Sequence, residues 1–178
     1  ALPILMITGF DLLVQNTDVL FLSIYRSASD VGIYYAGLKT MSLIAFVHYA
    51  VASASANQFA ALHARGAADE LTAFAQETVR WTFWPSLAGA AMILLLGKPL
   101  LWLFGPQFVV GYDIMFIAAI GLLVRAAIGP VERLLNMLGH QHICAMAYAL
   151  AFVMNLVLCL LLVPRFGGHG AAAATSIA

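Results

Sequence analysis

Five apolar segments, each close to the length of a membrane span, fill most of this 178-residue chain. About 20 such residues carry a helix across the hydrocarbon core of a bilayer. Lipid satisfies no backbone polar group, so a spanning segment must be an α-helix or part of a closed barrel. No stretch alternates apolar and polar residues for long, so the expected fold class is all-α: a polytopic transmembrane helical bundle of about five complete spans plus the start of a sixth. Composition points the same way. Hydrophobic residues make up 63% of the chain and charged residues 9%, where soluble domains carry about 25% charged residues. Eight basic and eight acidic residues cancel, so no basic surface advertises nucleic acid. Partners are sought among membrane lipids and lipid-borne molecules, and the expected location is a plasma membrane crossed several times.

Along the chain, the first span is expected over residues 2–25, ended by Arg26-Ser27-Ala28-Ser29-Asp30, where Ser29 or Asp30 suits an N-cap. The second keeps a helical pattern over 31–64 and must tilt or project before Gly66. Residues 67–79 carry Asp69 and Glu70 in a first turn and place Leu71, Phe74 and Thr78 on one face, the pattern of an interfacial amphipathic linker helix. Arg80, Trp81 and Trp84 anchor a third span over 80–96. A short hydrophobic turn over 100–104 follows, ended by Gly105-Pro106. The fourth span covers 111–128, is bent at Gly129-Pro130 and continues over 131–138. The fifth covers 142–163 and is expected to stop at Pro164, with a sixth starting near Gly170. Nothing marks a second domain: residues 1–178 read as one transmembrane unit and as an internal piece of a longer protein. Arg26, Lys98 and Arg165 fall at the connections on one side. Arg65, Arg80 and Arg133, with His63, His140 and His142, fall on the other, which the positive-inside rule assigns to the cytoplasm.

Polar residues within the spans are not scattered. Thr8, Asp11, Gln15 and Asp18 are spaced by three, four and three, so they share one face of the first helix. A carboxylate near mid-membrane costs from about 2.5 to more than 10 kcal/mol if it faces lipid. Two readings stand for Asp11, Gln15 and Asp18: a structural hydrogen-bonded contact between helices, or a cavity wall that meets a coupling cation or proton. On the second span Tyr35, Lys39, Ser42, Phe46, Tyr49, Ser53 and Asn57 form a second stripe. Lys39 lies two turns in, able either to snorkel to the interface or to bind an anion. Ser53 and Asn57, among alanines, also suit close helix packing. Two successive helices with aligned polar faces are most economically read as lining one cavity.

Arg125 near the end of the fourth span has the fork that suits a phosphate or an anionic sugar. It also stands two turns from Glu132, a possible ion-pair partner. Gly129 and Pro130 read as a hinge. The five histidines form no metal-binding set, no cofactor motif is present, and no phosphate-cradling glycine loop or nucleophile elbow occurs. The expected function is therefore not enzymatic. Cys144 and Cys159 lie on one helix, roughly 22 Å apart at 1.5 Å per residue, too far to bridge.

Asp18 followed by Asp30-Val31-Gly32-Ile33-Tyr34-Tyr35-Ala36 is similar to an Asp-bearing helix and the "vGxYxaa" start of the next in bacterial polysaccharide flippases. Leu100-Leu101-Trp102-Leu103-Phe104-Gly105-Pro106-Gln107-Phe108 resembles their "LLxLFGxxF" turn. Gly129-Pro130, the stretch from Leu134 to His140, and the stretch from Val163 to Ala172 resemble the "GP", "LLxxxGh" and "vPxxGxxGAA" segments, in the same order. His169 and the heavy stripe at Asp11 depart from that pattern. The resemblance, to lipid-linked oligosaccharide exporters of the multidrug/oligosaccharidyl-lipid/polysaccharide superfamily, implies a bundle of twelve to fourteen helices, of which this chain covers most of the second half. It further implies alternating-access flipping of undecaprenyl-pyrophosphate-linked glycan (O-antigen, capsule or exopolysaccharide) across a bacterial inner membrane. Only Asp18 is carried over as a family-like acidic position. The rival readings are a cation-coupled multidrug or metabolite exporter of the same superfamily and, from another class, a membrane transferase acting on lipid-linked sugars.

Overall fold

The computed structural model describes residues 2–178 except 130, 138 and 140, and gives no side-chain description for 2–5, 68, 132, 133 and 137. The expectations resting on Pro130, His140 and an Arg125–Glu132 pair lie outside the described residues. Among the described residues the chain is all-helical: α1 (Leu2–Tyr25), α2 (Ala28–Met41), α3 (Leu43–Ala64), α4 (Ala68–Leu95), α5 (Gly97–Trp102), a 3₁₀ turn (Pro106–Gly111), α6 (Tyr112–Ile128), α7 (Val131–Met137), α8 (Gln141–Phe166) and α9 (Gly168–Ile177).

Three helical stretches are long and apolar enough to cross a membrane, Met6–Tyr25, Pro106–Ile128 and Gln141–Phe166. Five spans were expected, and the other two candidates differ for identifiable reasons. The second is divided at Ser42, where the Ala45 amide bonds Ser42 O, three residues back, in a tightened turn; α2 is left only 14 residues long, and α3, at 22 residues, carries His48, Ser53, Asn57 and Gln58, which dilute its hydropathy. In the third, residues 67–79 form no separate linker. From Ala68 the helix runs unbroken through Arg80 and Pro85 as α4, whose first half holds Asp69, Glu70, Glu77 and Arg80 and so dilutes its hydropathy.

Helix ends follow local chemistry. Ser27 and Asp30 form a reciprocal capping box that starts α2, an arrangement that satisfies two orphan amides; Ser27, rather than Ser29 or Asp30, is the N-cap. Pro164 does not stop α8, although a proline inside a helix loses its own amide bond and crowds the carbonyl four residues back; only two helical residues follow it. The helix runs through Phe166 and ends at Gly167, with φ 58°. Arg26 then donates from Nη2 to the Pro164 carbonyl at 3.4 Å, placing a cation at the negative end of α8.

Two buried clusters hold the bundle. One joins α2, α3, α4, α5 and α6 through Met41, Ile44, Ala90, Leu101 and Met115. The other joins α1, α2, α6, α8 and α9 through Leu22, Tyr34, Ile114, Cys159 and Ala171. α1 lies along α8, α3 along α4, and α9 between α6 and α8. Outward residues of α8 such as Met146, Leu150 and Leu161 are exposed, an apolar surface that suits lipid rather than water.

Candidate functional site

Asp18 is the residue of the first stripe that the tertiary structure takes into the core. It is 1% exposed, roughly 10 Å along α1 from Tyr25 at 1.5 Å per residue. Its Oδ1 accepts the Val19 amide at 2.7 Å. Its Oδ2 accepts the Tyr34 hydroxyl of α2 and the Thr175 hydroxyl of α9, the latter at 3.0 Å. Behind Thr175, Asn155 of α8 donates from Nδ2 to Thr175 Oγ1 at 3.4 Å, and the Cys159 thiol reaches Asn155 Oδ1 at 3.7 Å. Tyr34, Asn155 and Cys159 are fully buried. Three helices, α1, α2 and α9, thus bond one carboxylate through neutral donors, and α8 joins them indirectly, through Asn155 behind Thr175. Such donors offset much of the desolvation a lone carboxylate would suffer. A proton or small cation arriving at Oδ2 would compete directly with the ties to α2 and α9.

The rest of that stripe lies elsewhere. Asp11 is half-buried, and Gln15 is exposed and donates from Nε2 to Asp11 Oδ2 at 2.8 Å. They form a local pair one turn apart, separate from the Asp18 cluster. On the second stripe Tyr35, Lys39, Ser42, Phe46, Tyr49, Ser53 and Asn57 are all exposed, so the face is continuous across the α2–α3 break. Lys39 Nζ sits 5.0 Å from the centroid of the Tyr35 ring, a cation–π contact one turn along the helix. The Ser42 hydroxyl is turned to its own backbone, bonding Lys39 O at 2.7 Å.

Tyr49 and Arg125 do come together. With Ile44, Ala45, His48, Ser86, Leu122 and Ala126 they line a small cavity of about 30 Å³ among α3, α4 and α6. Gly129 follows α6 with φ 72°; a Cβ there would stand 2.6 Å from Val79 Cγ2, so both its conformation and its contact with α4 exclude a larger residue. A larger apolar groove, about 670 Å³, runs along Leu96, Leu100, Trp102, Leu103 and Val109 with Lys98 in its wall.

Sequence reasoning missed Tyr34, Asn155 and Thr175. Asn155 carried a usable signal, a lone amide inside an apolar run, which by itself marks a helix contact or a site. Tyr34 is displaced 100° from its neighbour Tyr35 on the helix, and nothing local says which of the two turns inward. Among the described residues, no group of histidine, cysteine or carboxylate side chains is placed to hold a metal ion. No family model, curated protein or solved structure matches the chain.

Proposed function

We propose that this chain is part of a membrane transporter that flips a lipid-linked, pyrophosphate-bearing glycan across a bacterial inner membrane by alternating access, with Asp18 as its coupling carboxylate. The observation that carries the reading is the convergence of α1, α2 and α9 on Asp18 through neutral donors, with α8 tied in behind Thr175 by Asn155. A carboxylate held this way changes its demand on its neighbours when it gains a proton or a cation. Ionised, it accepts from Tyr34 and Thr175 together. Neutralised, it accepts them more weakly, which loosens α2 and α9 relative to α1. A bound ion shifts a two-state equilibrium only through such differential contacts.

The choice of cargo rests on the ordered segments between Asp30 and Ala172 and on the basic side chains Lys39 and Arg125. A cation-coupled exporter of small molecules would use the same Asp18 cluster, so the cargo is tested apart from the coupling. In cells lacking the protein, lipid-linked glycan should accumulate on the inner leaflet, and the wild-type chain in its full-length context should clear it. Asp18→Asn should leave most of the accumulation in place while reaching the membrane in normal amounts, and Asp18→Glu should clear part of it. Full clearance by Asp18→Asn would remove the coupling role. Absence of accumulation in the deletion strain would remove the glycan reading.

A further inference from the structure

Most buried hydroxyls on these helices are satisfied by their own helix. Thr40 bonds Ala36 O, Ser55 bonds Val51 O, Thr78 bonds Phe74 O and Thr82 bonds Thr78 O, at 2.7–2.8 Å. Ser86 is different. It is 1% exposed, and its Oγ has no hydrogen-bond partner. A buried hydroxyl left in that state costs about 1–3 kcal/mol, which makes it a position expecting an external partner. Ser86 lines the cavity between α3, α4 and α6, whose other polar walls are His48, Tyr49 and Arg125. Ile44 and Leu122 supply apolar wall, and among the described residues no acidic side chain lines the cavity.

From this arrangement we propose that the Ser86–Tyr49–Arg125 cavity is an oxyanion seat that takes one oxygen of a phosphoryl group. Its volume, about 30 Å³, matches a single water or one anionic oxygen, not a whole pyrophosphate. The terminal oxygen enters and receives the Ser86 hydroxyl. The remaining oxygens stay at the mouth, where the exposed Arg125 presents its fork and Tyr49 its hydroxyl. A guanidinium with neighbouring hydroxyl donors recognises a tetrahedral oxyanion better than a point charge would. The inference deepens the transport reading and rests on it for the source of the phosphoryl group, which is either a lipid headgroup or free phosphate.

The test is binding to the purified full chain in phosphatidylcholine nanodiscs, with inorganic phosphate and dodecyl phosphate as separate probes and chloride as control. Ser86→Ala removes an unsatisfied hydroxyl, so without ligand its melting temperature should equal or exceed that of the wild type. Its phosphoryl affinity should fall by roughly tenfold to a hundredfold, the loss of one hydrogen bond to a charged group. Arg125→Gln should lose about tenfold or more, and Arg125→Lys should recover only part of it. Tighter binding of dodecyl phosphate would identify a lipid headgroup, and equal binding of both probes would identify free phosphate; each supports the seat. Binding unchanged in Ser86→Ala and Arg125→Gln, or chloride binding as strong as phosphate, would overturn it. Because nothing here is transported, phosphoryl binding without glycan flipping would retire the transport reading alone, and flipping without this binding would retire the seat alone.

Discussion

At the scale of single residues, the chain separates polar groups that merely tolerate a membrane from those that tie helices together. Thr40, Thr78 and Thr82 turn their hydroxyls back to their own helices and so specify nothing about neighbours. Tyr34 and Thr175 instead reach a carboxylate 16 and 157 positions away. Removing one donor, by Tyr34→Phe or Thr175→Val, should cost roughly 1 kcal/mol of stability each, the usual size of such a bond in water or lipid. Since both donate to the same oxygen, their double mutant should deviate from additivity by about 0.5 kcal/mol or more. A thermal-denaturation cycle in detergent reads this directly, and strict additivity would mean that the two bonds do not share Asp18. Asp18 itself was legible as a candidate because an intramembrane carboxylate is expensive. Its partners were not, because each comes from a different helix.

At the scale of helices, close approach depends on glycines whose missing side chains face a neighbour. A Cβ at Gly170 in α9 would stand 2.4 Å from Leu162 O of α8, a backbone atom that cannot swing aside. At Gly89 in α4 nothing lies within 4 Å of the same atom. Gly170→Ala should therefore destabilise by about 1–3 kcal/mol, the usual cost of overpacking. Gly89→Ala should be neutral or stabilise by up to about 1 kcal/mol through helix propensity. Melting temperatures of the two purified variants give the comparison; equal behaviour would show that α9 does not pack on α8 as closely as described. Helix starts and stops were readable to different degrees. The polar break at Arg26–Asp30 announced itself through its capping residues. Pro164 misled, because α8 absorbs it in its last turn and runs on to Phe166, whereas Gly167 ends α8 through a left-handed backbone conformation that only the three-dimensional path requires.

At the scale of the whole molecule, contacts sort the connections into two ends. Arg26 reaches the Pro164 carbonyl and lies against Gly167, and Gly32 near the start of α2 faces Phe108 of the 3₁₀ turn. The α1–α2, α5–α6 and α8–α9 connections therefore gather at one end, while Gly129 meets Val79 toward the other. This grouping leads to a topology test. Single cysteines placed at Ser29, Gln107 and Phe166, each exposed, should be labelled by an impermeant maleimide from the same side of the membrane. Arg65→Cys should be labelled from the opposite side. Cys144 and Cys159 are buried, so the native background should be low. Labelling of Arg65→Cys from the side that reaches Ser29→Cys would mean that α2 and α3 do not cross as a pair. By itself, the sequence determined the membrane environment and the helical class, because hydropathy and the backbone's need for internal hydrogen bonds are local properties. It also determined which helix faces carry polar groups, since periodicity is set by one helix alone. Only the tertiary structure decided that Asp18 would be buried where α1, α2 and α9 meet, that Asp11 and Gln15 would pair apart from it, and that Tyr49 and Arg125 would share a cavity with Ser86. Those outcomes depend on how helices distant in the chain cross, and the crossing is set by small residues and packed side chains that no local pattern encodes.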